Sequence, residues 1–197
     1  MKLALLALLL LGAAGLRQQT PAPSGTQAMY NAAAASAEAK FRHIKENARR
    51  NPPDQAPTVF SEREINAYLA SGRVKLPAGV RRVDLTGTPG TIDATASVDF
   101  DQITAQKGSS NPLLALFSGV HEVHAVAGAE GSGGRGHIHI TRIELDGITI
   151  PRVAVEFFLD RYIRPKHPEV GLDTTFTLPY RIDLAIVGEH KLTVTQK

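Results

Sequence analysis

The spacing of apolar and polar positions changes period along the chain and predicts its elements in order. From Met29 to Arg50 the period is helical, with Phe41, Ile44 and Ala48 on one side and charges around them. Alanines 32 to 35, 37, 39 and 48 favour the helix, and Asn51-Pro52-Pro53 stops it. Phe60-Ser61-Glu62-Arg63-Glu64-Ile65 opens a second helix. Ser61 and Glu64 have the spacing of a capping box, and Phe60 and Ile65 that of a hydrophobic staple. This helix should bury Ile65, Tyr68 and Leu69 and end near Ser71-Gly72.

From Val74 the period becomes two. Val80–Leu85 reads as a strand and Pro89-Gly90 as a turn. Thr91–Asp101 then alternates, with Ile92, Ala94, Ala96, Val98 and Phe100 on one face and Thr91, Asp93, Thr95, Ser97, Asp99 and Asp101 on the other. That is the pattern of a half-buried antiparallel strand. A short apolar segment, Pro112–Phe117, separates it from two further strands, Val120–Ala129 and Gly136–Leu145, joined by a glycine-rich loop over Glu130–Arg135.

A strand-like run, Ile143–Ile150, feeds a helix expected to begin at Pro151, where a missing N–H costs nothing. Arg152, Glu156, Asp160 and Arg164 recur every four residues and make one narrow polar stripe, with Arg161 at its edge. The other positions to Ile163 are apolar or aromatic, a wider apolar face than an ordinary surface helix carries. Such a helix needs cover on more than one side, from the protein or from an apolar ligand. Strands Thr174–Leu178, Tyr180–Val187 and Lys191–Thr195 close the chain. Ile182, Leu184 and Ile186 are expected on one face of the penultimate strand, and Arg181, Asp183 and Ala185 on the other. The pattern adds up to an α+β fold, a twisted antiparallel sheet with helices gathered on one face.

The 197 residues suit one sizeable domain. Lys2, the apolar run Leu3–Leu11 and the small residues Gly12–Gly15 read as a secretory signal over residues 1–16. Residues 17–28, with Pro21, Pro23, Ser24 and Gly25, read as a flexible tether, which leaves 29–197 as one domain. The expected location is periplasmic or secreted. There is no cysteine, so there is no lipid-attachment site, disulfide or thiolate chemistry. The net charge of +3 is scattered, which argues against nucleic acid and leaves room for transient contact with an anionic membrane.

Candidate chemistry is sparse. Gly131–Gly136 has the letters of a dinucleotide fingerprint, but a strand follows where the mechanism needs a helix. His137 and His139 share a strand face, while His121 and His124 point to opposite faces. A metal-dependent hydrolase using His121, His137 and His139 is one reading, but no compact ligand motif supports it and no metal or cofactor is expected. Asp99 and Asp101, with Asp93, should lie on the wet face of their strand as a solvated edge. No nucleophile elbow, Walker loop or zincin motif is present, so a non-enzymatic role is expected.

The apolar signal is stronger. A groove between sheet and helix would bind a lipid or other hydrophobic small molecule. Val98, Phe100, Leu116, Phe117, Ile140, Val155, Phe157, Phe158, Leu159 and Tyr162 are its expected lining. The competing reading is a filled core in a non-catalytic structural or interaction module of the cell envelope.

Thr58–Leu69 is similar to the opening of bacterial tubular lipid-binding (TULIP-like) envelope proteins, including the YceB-like lipoproteins. Leu145-Asp146-Gly147-Ile148-Thr149-Ile150-Pro151, with the helix and strands after it, resembles their second half. The resemblance implies a half-barrel, a twisted antiparallel sheet wrapped along a long apolar helix and enclosing a lipid. It implies no catalytic residues, and this chain lacks the attachment cysteine of the lipoprotein members.

Overall fold

A computed structural model describes residues 25–104, 118–165 and 167–197. The expected signal, the start of the tether and the segment with Leu116 and Phe117 lie outside the described residues.

Local capping fixes the first elements. Strand β1 (Thr58–Ser61) runs into α2 (Glu62–Ala70). The Glu64 N–H donates to Ser61 Oγ at 3.2 Å, and the Ser61 N–H donates to Glu64 Oε2 at 2.8 Å. The helix ends on Ser71 and a left-handed Gly72, as expected. Helix α1 (Gly25–Asn47) packs against it, with the Phe41 ring 4.6 Å from Phe60 and 5.0 Å from Tyr68. It starts at Gly25, so the last residues of the expected tether are helical. It stops at Asn47, short of Arg50, because the buried Asn47 side chain bonds the returning loop at Asp54 and Gln196 of the last strand.

Among the described residues nine antiparallel strands form one open sheet. Strands β2 (Val80–Thr88) and β3 (Thr91–Asp99) turn at Pro89-Gly90, and α3 (Phe100–Thr104) follows. Strands β4 (Val120–Ser132) and β5 (Arg135–Leu145) meet over a two-residue Gly133-Gly134 turn, φ +58° and +75°. The expected six-residue loop is therefore mostly strand, because two adjacent glycines supply the positive φ of a tight hairpin. After the short β6 (Ile148–Thr149) come α4 (Arg152–Phe158) and a π-helical turn (Leu159–Ile163), then β7 (Asp173–Thr177), β8 (Ile182–Gly188) and β9 (Lys191–Gln196). The sheet runs β1-β9-β8-β4-β3-β2, and β5 lies on the other side of β4 with β6 and β7 on its outer edge.

Three expectations are corrected. Asp99 and Asp101 do not share a wet face. The strand ends at Asp99, whose buried carboxylate takes bonds from Arg81 (2.6 Å) and Gln102 (2.9 Å), while exposed Asp101 accepts the Gly119 N–H. The facing of β8 is shifted by a bulge between Ile182 and Leu184, so Ala185 and Val187 are buried and Ile186 is 55% exposed. The helix after Pro151 is not long: seven α-helical residues give way to five π-helical ones, with the Arg164 N–H bonded to Leu159 O at 2.8 Å. Pro151 is its N-cap. Among the described residues no helix is long and apolar enough to cross a membrane.

Among the described residues most buried apolar side chains fall into two clusters. The larger lies under α1 and α2 and contains Phe41, Phe60, Tyr68, Val83, Leu85, Phe176 and Val194. The smaller lies under α4 and contains Val98, Phe100, Leu145, Phe158 and Tyr162.

Candidate functional site

The register of the three central strands lays out one apolar face in rows. Ala94 of β3 pairs with Ala125 of β4, which pairs with Ile143 of β5. The next row is Ile92, Ala127 and Ile140, and the row towards α4 is Ala96, Val123 and Leu145. A bulge at Thr141 of β5 lets Ile140 and Ile143 share this face despite their odd spacing. Ile92 and Ala94 border the larger cluster, Val123 borders the smaller, and Ala96 touches both. Ala125, Ala127, Ile140 and Ile143 are only half-buried and belong to neither cluster among the described residues. Among the described residues, therefore, the two clusters meet at Ala96 and leave the small side chains of Ala125 and Ala127 outside both.

This floor reaches the outer edge of β5 where that edge is unpaired among the described residues. Strand β7 pairs with residues 135–139 and β6 with 144–145, which leaves Thr141 and Arg142 between them. A pocket of about 260 Å³ opens there, against Ile140, Ile143, Ile150, Val155 and Leu172. The helix above is fixed by its polar stripe: Arg164 binds both Asp160 and Glu156, and Arg152 lies 3.7 Å from Glu156.

The expected lining residues divide. Ile140 and Val155 line the pocket. Val98, Phe100, Phe158 and Tyr162 pack on one another, with Phe100 to Phe158 at 5.5 Å edge-to-face and Phe158 to Tyr162 at 5.2 Å. Leu159 is half-buried, and Phe157 is 39% exposed on the far side of the helix beside Val153 at 77%. Leu116 and Phe117 lie outside the described residues. The alternation Ala125-Val126-Ala127 was the available sequence signal for the floor. The Thr141 bulge left no comparable signal.

The four histidines of β4 and β5 are held by carboxylates. His121 lies beside the smaller cluster, 5.9 Å from the Phe100 ring, and bonds Asp146 and the Ser118 carbonyl. His137 and His139 share Asp173 on the opposite, polar face of the sheet. The sheet therefore separates His121 from the other two, and among the described residues no group of three or more His, Cys, Asp or Glu side chains could hold a metal ion. His124 bridges Asp93 (2.7 Å) and Glu144 (3.2 Å) across three strands. The Asp146 bond raises the His121 pKa, and the Asp93 bond, helped by Glu144, raises that of His124. Hydrogen bonds from His137 and His139 lower the pKa of Asp173. Partial burial would raise the Glu64 pKa, but bonds from Lys40, Ser36 and the Ser61 N–H outweigh it and bring the carboxyl down to about 2.

No family model, curated protein or solved structure matches the chain.

Proposed function

We propose that this protein is an exported, non-catalytic carrier of a lipid or other apolar ligand. The ligand lies in the trough between the two helical covers and runs under α4, so that the sheet acts as a half-barrel around it. The observation that carries this reading is the half-exposed patch of Ala125, Ala127, Ile140 and Ile143, which neither cluster claims among the described residues. Apolar surface left uncovered costs roughly 25 cal/mol per Å², so a covering acyl chain or polycyclic lipid gains that amount. The adjoining pocket of about 260 Å³ approaches the lower end of ligand-pocket volumes, and the trough extends it. Solvent extraction of protein purified from membrane-rich cells, followed by mass spectrometry, tests the reading. We expect a lipid in stoichiometric amount; repeated recovery of empty protein would overturn it.

A second reading, an interaction module of the envelope, is favoured by Ile148 (70% exposed), Val153 (77%) and Phe157 (39%), which turn outward. On that reading the extraction returns empty protein, and replacing Val153 and Phe157 with serine abolishes membrane or partner binding.

A further inference from the structure

The fold gathers positive charge that the sequence spreads out. Helix α1 carries Arg42 and Lys45 in its last two turns, and Arg49 and Arg50 follow just beyond its end. Asn47 Nδ2, in the last turn, donates to Gln196 Oε1 of β9 at 2.8 Å. Gln196 Nε2 in turn donates to Ile44 O (2.8 Å) and Tyr180 O (2.7 Å). These bonds hold the end of β9 and the turn before β8 against the helix. In that turn Tyr180 and Arg181 both have left-handed backbone, φ +55° and +56°, which is uncommon for residues with a side chain. Arg181 donates from Nη1 to Arg50 O (3.0 Å) and from Nε to Lys197 O (2.9 Å). Arg42, Lys45, Arg49, Arg50, Arg181 and Lys197 thus share one end of the molecule, and all six are exposed.

Their charge is not neutralised by pairing. Among the described residues Arg42, Lys45, Arg49, Arg50 and Lys197 have no carboxylate partner, and the Arg181 side chain bonds only carbonyls. Elsewhere Lys40, Arg73, Arg81, Arg82 and Arg164 are each paired to a carboxylate. Three acidic residues lie at the same end: Glu46 on the helix, Asp54, whose backbone bonds Asn47, and Asp183 beside Arg181 and Lys197. Six of the chain's 22 Lys and Arg therefore face three of its 19 Asp and Glu here, which leaves sixteen of each elsewhere. The whole formal excess of +3 sits at this end. The neighbouring β4–β5 hairpin adds Arg135 and Glu130 and leaves that balance unchanged.

The favourable place of a cation at a helix C-terminus accounts for Lys45, in the last turn of α1. It does not account for Arg49, Arg50, Arg181 or Lys197, which lie outside the helix. Among the described residues no exposed aromatic ring stands between these cations to stack a base, as a nucleic-acid surface would want. Unpaired cations spread over an exposed surface suit a plane of headgroup phosphates, where each charge adds its own attraction.

We infer that this end of the molecule docks on an anionic lipid bilayer, with these six side chains against the headgroup phosphates. The inference goes beyond the carrier reading, and either can fail alone.

Co-sedimentation of the full-length protein with vesicles tests it. Vesicles of phosphatidylcholine alone are compared with vesicles containing about 30% phosphatidylglycerol. We expect the anionic vesicles to bind at least about tenfold more tightly, and the difference to collapse at about 0.5 M salt. The variant Arg49→Gln/Arg50→Gln/Lys197→Gln should lose about tenfold or more on anionic vesicles. The variant Arg63→Gln/Lys75→Gln/Lys191→Gln removes three equally exposed cations that have no partner among the described residues. It should bind within about twofold of the native chain, because those charges lie elsewhere on the surface. Circular dichroism and melting temperature check both folds. Equal binding to the two vesicle types, or equal losses in the two variants, would overturn the inference. So would binding to a DNA duplex with none to vesicles. Tight binding to anionic vesicles by a protein that yields no lipid on extraction would uphold this inference and overturn the carrier reading.

Discussion

The two ends of the sheet bury their apolar face in different ways. Under α1 and α2, eighteen buried side chains among the described residues form one continuous cluster, closed by aromatic stacking and by the buried pair of Asn47 and Gln196. Under α4 only five do, and the helix spends part of its apolar surface on solvent at Val153 and Phe157. The first end supplies stability. The second buries less among the described residues, and on the proposed carrier reading a ligand adds cover to the floor between the two. If the carrier proposal holds, stability and binding are divided along one sheet, and each can be perturbed separately.

The largest expected effect breaks the closed end. Phe60 is fully buried, and Phe60→Ala should cost about 4–5 kcal/mol, whereas Phe158→Ala in the smaller cluster should cost about 3. Equal losses in denaturant unfolding would deny that the ends are packed differently. Next is Gly136→Ala. A methyl group there would sit 2.5 Å from the Phe176 ring, so overpacking of about 1–3 kcal/mol is expected, relieved when Phe176 is also changed to leucine. An unchanged melting temperature would show that the ring is not seated on that glycine.

A smaller effect comes from pH. Glu64 has a lowered pKa, so its contribution is full above the ordinary value of 4.5 and is lost as pH falls towards about 2. His121, His124 and His190 have raised pKa values, from bonds to Asp146, Asp93 and Glu62 respectively. Their contributions are full below 6.5 and fade as pH rises through the raised values. Stability should therefore peak between about 4.5 and 6.5, shallowly on the alkaline side because these histidines are near solvent. Thermal melts across pH 3 to 9 would check it; a maximum well above neutrality would contradict the sign. The smallest effect is expected for Val153→Ser and Phe157→Ser, each within about 0.5 kcal/mol, since both side chains already face out.

Much of the closed end was legible because its signals are local. A capping box needs only Ser61 and Glu64, and the two-residue period of β3 is visible in its own letters. What failed depended on partners far along the chain. The bulges at Thr141 and between Ile182 and Leu184 reverse which side chains face inward, and nothing in a single strand announces them. Asp99 looked solvated by alternation, but Arg81 draws it into a buried pair. The greasy helix was legible in composition, yet its π-turn and the 39% exposure of Phe157 were not. The candidate site is legible in part: Ile140 and Val155 lie at the pocket, while small residues such as Ala125 and Ala127 carry little hydrophobic signal.

The most direct test of the trough is to fill it. Ala125→Leu and Ala127→Leu together raise the floor where neither cluster reaches, and binding of the neutral fluorophore N-phenyl-1-naphthylamine is titrated against the native chain. We expect saturable one-to-one binding by the native protein and its loss in the filled variant, with the melting temperature held or raised. No saturable binding by the native protein, or equal binding by both, would contradict a ligand-sized gap between the two covers.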